Sequence, residues 1–324
     1  MFSIRTDLAL EAKEIYKKQN NKEMPGIEAS EYKEGEVKVT SVKVMDDVGE
    51  KMMGKPKGEY ITIDMPKFVH YDSDTKDEVS KVLAKELGSL IQLEDNMTAM
   101  VVGLGNEYVT PDSLGPKVIS KLMITRHLKQ LVPDKIDEGI RPVCALSPGV
   151  LGTTGIETSE IIRSVVEKIK PNLIICIDAL ASRNLQRVNN TIQIGNTGIS
   201  PGSGVGNKRM ELSEKTLGIP VIAIGVPTVV EAATVANDSI DLVLDALINQ
   251  SEEGSKFYNM LKDLDKNEKE KLIREVLNPY LNNLMVTPKE VDMIIESVTK
   301  IISNGINIAL QPALELEDIN KYIN

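Results

Sequence analysis

The stretch NLIICID (172–178) decides the fold. Its five central residues are all apolar, with no polar residue alternating between them. A strand with one wet face alternates; a strand that does not is covered on both faces. Similar runs follow one another along the chain: AMVVGLG (99–105), RPVCAL (141–146), TIQI (191–194) and IPVIAIG (219–225). Segments with helical spacing separate several of them. This order predicts an α/β fold, a mostly parallel sheet sandwiched by helices, over residues 95–250.

The helices carry readable ends. SEIIRSVVEKIK has Glu157 just before it and Glu160 at its start, Lys168 and Lys170 towards its end, and Pro171 as a stop. These charges complement the helix dipole. KVISKLMITRHLKQLV (117–132) reads as one helix, opened by Pro116 and closed before Pro133. In VTPKEVDMIIESVTKIISNG (286–305), Thr287 and Glu290 predict a capping box and Pro288 a first helical position. Val286 is set to staple to Val291, and Gly305 to lie past the end. The apolar stripe of this helix reads as a packing face.

Two further segments flank the core. Residues 8–94 read as an N-terminal α+β extension, with helices over 8–19 and 73–93. EVKVTSVKV (36–44) and EYITIDMP (59–66) read as strands that pair across the glycines at 49, 54 and 58. Residues 251–324 read as a helical C-terminal region, packed with the rest as one unit.

Composition narrows the function. The net charge of −10 argues against direct binding of nucleic acid. With no Trp and three Phe, the core must be aliphatic. Cys144 and Cys176 lie in apolar runs and read as small buried hydrophobes, as in a reducing cytosol. The first residues lack the apolar core of a signal peptide. No window reads as a membrane span of ~20 apolar residues.

The glycine loops do not read as nucleotide sites. In VVGLGNEYVTPDSLGP (101–116), Tyr108 stands where a dinucleotide fingerprint has its third glycine. SPGSGVGNKR (200–209) lacks the Gly-Lys-Ser/Thr ending of a P-loop. His70 and His127 are the only histidines, and neither belongs to a metal or triad motif. Carboxylates remain. Asp112 follows the first core strand, and Asp178 ends NLIICID. Residues past the carboxyl ends of parallel strands gather in one crevice. Each also has a plain reading: Asp112 as a turn or capping residue, Asp178 as a partner for loop backbone.

Several long blocks carry a resemblance: VVGLGNEYVTPDSLGP, SPGVLGTTGIETSEII, IDALASR, TIQIGNTGISPGSGVGNKR, TLGIPVIAIGVPTVV and LNNLMVTPKEVDMIIE, with IRTDLALEA at the start. Together they make the chain similar to the germination proteases of spore-forming bacteria over nearly its whole length. The resemblance implies a self-processing endopeptidase that begins the degradation of small acid-soluble spore proteins when the spore germinates. It implies a zymogen cut at Asp7–Leu8, so residues 1–7 would be a short pro-segment and this chain the precursor. It further implies a homotetramer in the cytoplasm of the forespore and spore core, with no cofactor and no resident metal. The two aspartates implicated in catalysis map to Asp112 and Asp178. A more distant likeness, to the hydrogenase-maturation proteases, gives the alternative: a metal-dependent peptidase in which two acids and a histidine bind metal. Neither His70 nor His127 matches the position of that third ligand.

Two carboxylates that share a site titrate as a unit, one ionised and one protonated, and so can supply both a base and an acid to amide hydrolysis. The sequence leaves open which aspartate does which. Acidity is the expected trigger for self-cleavage. The loops 149–155 and 202–206 are candidates for backbone N–H groups that hold substrate or an oxyanion, or else plain turns. IEASEY (27–32) faintly resembles an acidic cleavage site but reads better as a solvated segment.

Overall fold

The computed structural model describes residues 6–67, 69–94, 96–202, 210–263, 275–276 and 284–323. Its strands are β1 (Ile27–Glu34), β2 (Val37–Val44), β3 (Gly58–Asp64), β4 (Ala99–Gly103), β5 (Val143–Leu146), β6 (Leu173–Ser182), β7 (Thr191–Gly195), β8 (Val221–Glu231) and β9 (Met285–Val286). They form one sheet in the order β1-β2-β3-β7-β8-β6-β4-β5, with β9 on β8. The pairs β8-β6, β6-β4 and β4-β5 are parallel. The pairs β1-β2, β2-β3, β3-β7, β7-β8 and β8-β9 are antiparallel. The sheet is therefore mixed, which corrects the expectation of a mostly parallel one. TIQI became β7, which joins β3 of the N-terminal segment to the parallel core. A short apolar run does not reveal strand direction, because burial on both faces looks the same in either orientation.

The two sheet faces are covered differently. One carries the large core: Ile175 and Ile177 of β6, Ile192 and Ile194 of β7, and Ile222 and Ile224 of β8. The helices Ser73–Leu90 and Val291–Leu310 lie over it, with Leu83, Leu87, Ile301 and Ile302 among the contacts. Each such side chain contributes about 1.5–3 kcal/mol by leaving water. The opposite face holds two separate clusters. Ile162 and Val166 of the Thr158–Ile169 helix pack on Ile174 and Cys176. Ala9 and Leu10 of the Ala9–Asn20 helix pack on Val42, Val44 and Tyr60. The candidate site lies on this second face.

Several elements depart from the pattern-based reading, each for a tertiary reason. The helix expected over 117–132 is two, Leu114–Ile119 and Arg126–Leu131. Between them the backbone serves other elements: Met123 N–H donates to Asn307 Oδ1 at 2.9 Å, and Thr125 N–H to the Val143 carbonyl at 3.1 Å. The capping box at Thr287 does not form. The Thr287 hydroxyl donates to the Thr228 carbonyl at 2.9 Å, and the helix begins at Val291. IEASEY lies in β1, a strand paired along its length with β2. The Val291–Leu310 helix is long and apolar enough to cross a membrane, against the reading that no window is, but 72% of its apolar window is buried within the protein. The expected helix ends of 158–169 agree with the structure, and Lys170 takes the left-handed conformation before Pro171.

Gly305 lies inside the Val291–Leu310 helix rather than past its end. There it meets Leu83: a Cβ at 305 would stand 2.6 Å from Leu83 Cδ2 and 2.8 Å from Cγ. Leu83 is fully buried and has no room to swing away. Alanine would gain up to ~1 kcal/mol in helix propensity, while overpacking costs about 1–3 kcal/mol. Gly305→Ala is therefore expected to destabilise the fold by about 1 kcal/mol net in urea unfolding. A gain in stability would show that the two helices are not in this close contact.

Candidate active site

The site grows out of one register row. On β6, side chains alternate between faces, so Ile174, Cys176, Asp178 and Leu180 share the second face. Asp178 is opposite Gly225 of β8, Gly225 is opposite Gln193 of β7, and Gln193 is opposite Thr62 of β3. With strands about 4.8 Å apart, Asp178 and Gln193 stand ~10 Å from each other across a glycine. A Cβ at 225 would meet Leu180 Cδ1 at 2.4 Å, so this glycine lets Leu180 lean over β8 into the space between the two polar residues. Beyond Asp178 the β6–β8 register slips at Leu180/Ala181, an irregularity of the kind common beside active sites.

Asp178 does not end its strand. β6 continues to Ser182, and Asp178 is only 6% exposed, accepting from Ala179 N–H at 3.0 Å. Burial pushes its pKa well above the usual carboxylate range, and the charges of Asp112 and Asp7 push it further. The same burial, with Asp178 beside it, raises the Cys176 thiol to about 12. Cys176 is thus an inert core residue, and both cysteines are free.

Asp112 comes to this place through the Gly-Leu-Gly turn. Leu104 N–H still donates to the Ile177 carbonyl of β6 at 2.8 Å. The chain then turns at Gly105, with φ +113°, a conformation that side chains disfavour. A Cβ at 105 would stand 2.0 Å from the Asp112 carbonyl oxygen. Asn106 N–H donates to Asp112 Oδ2 at 2.9 Å and to its carbonyl at 3.1 Å. The glycines therefore serve to fold Asp112 back onto the strand end, and not to cradle a phosphate.

The third carboxylate is Asp7. Its Oδ2 accepts from Ala181 N–H at 3.0 Å, and its own N–H donates to the Ala181 carbonyl at 3.4 Å. Its carbonyl oxygen accepts from Lys55 Nζ at 2.8 Å and Gln193 Nε2 at 3.1 Å. The Asp7–Leu8 peptide thus lies on the second sheet face, over the row that carries Asp178. Leu8 and Ala9 are fully buried. Glu11, 2% exposed, anchors the following turn by accepting from Ser182 Oγ at 2.8 Å and from the N–H groups of Arg183 and Asn184, both at 2.9 Å. A cavity of about 250 Å³ opens beside Asp7, lined among others by Lys55, Tyr60, Gln193 and Thr197.

The other candidates fare differently. His70 packs against Ser297, with Nδ1 3.2 Å from Oγ, and burial lowers its pKa. His127 is exposed in the Arg126–Leu131 helix. Among the described residues no three His, Cys, Asp or Glu side chains are grouped to hold a metal. In the loop 149–155, Thr153, Thr154 and Gly155 spend their N–H groups on Val150 and Leu151 carbonyls, within the short helix Leu151–Thr154 and its cap. Of the loop 202–206, residues 203–206 lie outside the described residues, as do residues 1–5 of the pro-segment. Lys55, Gln193 and Glu11 were not singled out by sequence. The one available signal was Gln193, a lone long polar side chain in an otherwise apolar strand run.

A family model described as germination protease matches residues 5–262 and 248–323. The germination protease of Clostridium tetani is 66% identical over 322 residues, covering 99% of this chain and 100% of its own. That of Caldanaerobacter subterraneus is 52% identical over 324 residues, covering 100% and 99%. That of Priestia megaterium is 44% identical over 361 aligned residues, covering 99% and 97%. Matches of this identity, running from end to end, mean that the chain belongs to the germination protease family and is a protease.

Proposed function

We propose that this protein is a self-processing endopeptidase that cuts its own Asp7–Leu8 bond and then begins the degradation of small acid-soluble spore proteins during germination. It works as a homotetramer in the cytoplasm of the forespore and spore core. The observation that carries this reading is the docking of Asp7 on β6, three residues along from Asp178 and within the reach of its charge.

In this reading Asp178 is the acid and Asp112 the base. Asp178 is buried beside two negative charges, and so keeps its proton at a pH where an ordinary carboxyl has lost it. Asp112 is half-buried and accepts from Asn106 N–H. Asp112 takes a proton from water as the water oxygen attacks the Asp7 carbonyl carbon. Collapse of the tetrahedral intermediate breaks the C–N bond, and Asp178 gives its proton to the Leu8 nitrogen. The products are a carboxyl group on Asp7 and a free amine on Leu8. Until that cut, residues 6 and 7 occupy the crevice, which accounts for a latent precursor. Because the bond lies in the chain's own crevice, processing is intramolecular.

Asp112→Asn and Asp178→Asn are each expected to slow cleavage by about 10²–10⁴-fold, the usual worth of a positioned acid or base. The loss should appear both at Asp7–Leu8, read by mass spectrometry, and on an added spore protein. Full activity in either folded variant would make that aspartate structural. A chelator should leave the rates unchanged; inhibition restored by added metal would favour the metal-dependent alternative.

Asp178 also sets a pH dependence. Its pKa is raised on folding, so its contribution is favourable at low pH, where it is protonated in both states, and is lost as pH rises through the raised value. Processing should therefore slow as pH rises through the raised pKa of Asp178. In thermal melts Asp178→Asn should be more stable than wild type at neutral pH, and the gain should vanish below about pH 4. Equal stability of the two proteins across the range would show that Asp178 carries no raised pKa.

A further inference from the structure

The Asp7 carbonyl is held in an unusual way. It accepts from two side chains that lie far away in sequence, Lys55 Nζ at 2.8 Å and Gln193 Nε2 at 3.1 Å. Gln193 also holds the next peptide along, because its Oε1 accepts from Ala9 N–H at 2.7 Å. That acceptor role fixes the amide orientation, so Nε2 faces the Asp7 oxygen. Gln193 stands at its place on the row through β7, with bare Gly225 between it and Asp178. Lys55 follows the left-handed cap at Gly54, and its Nζ lies 5.8 Å from the centre of the Tyr60 ring. The Tyr60 hydroxyl is itself tied to the Pro56 carbonyl at 2.9 Å and accepts from Thr197 Oγ1 at 3.0 Å. Both donors are thus positioned by the fold around them.

We propose that Lys55 and Gln193 are catalytic residues that form the oxyanion site of this protease. This rests on the reading of Asp7–Leu8 as the processed bond. When water adds to the Asp7 carbon, the carbonyl oxygen becomes negatively charged. Lys55 Nζ and Gln193 Nε2 already point at it, so the charge develops against two preorganised donors. Burial lowers the Lys55 pKa, while the Asp7 and Glu11 carboxylates act to keep it charged. A cation here has a second use. Asp7, Glu11, Asp112 and Asp178 all lie around this crevice, and an added oxyanion among carboxylates needs a positive charge beside it. Departure of residues 1–7 vacates the same two donors. They then receive the carbonyl of a substrate strand that enters past the cavity lined by Lys55, Tyr60, Gln193 and Thr197.

The test follows conversion of the full-length precursor at Asp7–Leu8 by mass spectrometry, as a first-order rate. The variants are Lys55→Met, Lys55→Arg and Gln193→Glu, with Asp178→Asn run in parallel and folding followed by circular dichroism. Gln193→Glu keeps the acceptor for Ala9 N–H and removes the donor to Asp7. Lys55→Met and Gln193→Glu should each slow conversion by about 10²-fold or more. Lys55→Arg should retain more of the rate than Lys55→Met. If the two side chains only anchor residues 6–9, the folded variants will convert at the wild-type rate or faster, and the proposal is overturned. A slowing no greater than the lost folded fraction overturns it as well. If Asp178→Asn also converts at the wild-type rate, the carboxylate reading fails too. If Asp178→Asn is silent while the Lys55 and Gln193 variants stay fast, only the oxyanion assignment fails. A wild-type chain that never cuts at Asp7–Leu8 sinks both.

Discussion

A carboxyl group on the inner face of a central strand is the constraint on which this site depends. Asp178 lies among β4, β6 and β8, where water has little access, and two other carboxylates bear on it. An isolated ionised carboxylate in such a place is expensive, and the group avoids the cost by holding its proton. The neighbouring structure preserves this condition. Cys176 and Ile174 seal the inner side, Gly225 leaves no side chain to solvate the acid, and Leu180 leans over the gap. Asp7 docks on the same strand, at Ala181, three residues along from this acid.

The mixed sheet explains how the remaining groups reach that point. The parallel strands bring Asp178 and the turn that carries Asp112 to one end of the sheet. The antiparallel extension brings Gln193 on β7, and the turn before β3 brings Lys55. Neither half of the sheet holds the whole constellation. The join between β7 and β8 makes the site, and it leaves the second face uncovered between the Thr158–Ile169 and Ala9–Asn20 helices. Residues 6–9 fill that gap. Glu11, spent on Ser182, Arg183 and Asn184, holds the segment in register against the strand it crosses.

What sequence disclosed, and what it did not, follows the same division. NLIICID could be read because burial on both faces removes polar alternation, and Asp178 stood out because it breaks that run. Asp112 was legible from its place after a strand and a glycine turn, but the function of the glycines was not, since it lies in a close approach of Gly105 to the Asp112 carbonyl. The pairing of 36–44 with 59–66 was visible from alternation and turn residues. β1 was hidden because IEASEYKE is an exposed edge strand with little apolar signal. The break between 119 and 126 depends on Asn307, almost two hundred residues away, and no local pattern encodes it. Lys55 and Gln193 have no motif at all, because their placement comes from register across three strands and from a turn. Membership of the family could be recognised from long blocks, while the roles of single residues rest on geometry.

The central claim is that Asp178 keeps its proton in the intact precursor above the pH at which an ordinary carboxyl loses it. The direct measurement is its titration by carbon-13 NMR of the aspartate carboxyl groups, assigned by comparison with Asp178→Asn. The predicted result is a carboxyl signal that stays in its protonated position well above the ordinary aspartate range near pH 4. It should shift downwards in pH when Asp112 is replaced by Asn, because one of the charges that holds the proton is gone. A resonance that titrates near pH 4 in the folded precursor, untouched by Asp112, would contradict the assignment of acid and base and the pH logic built on it.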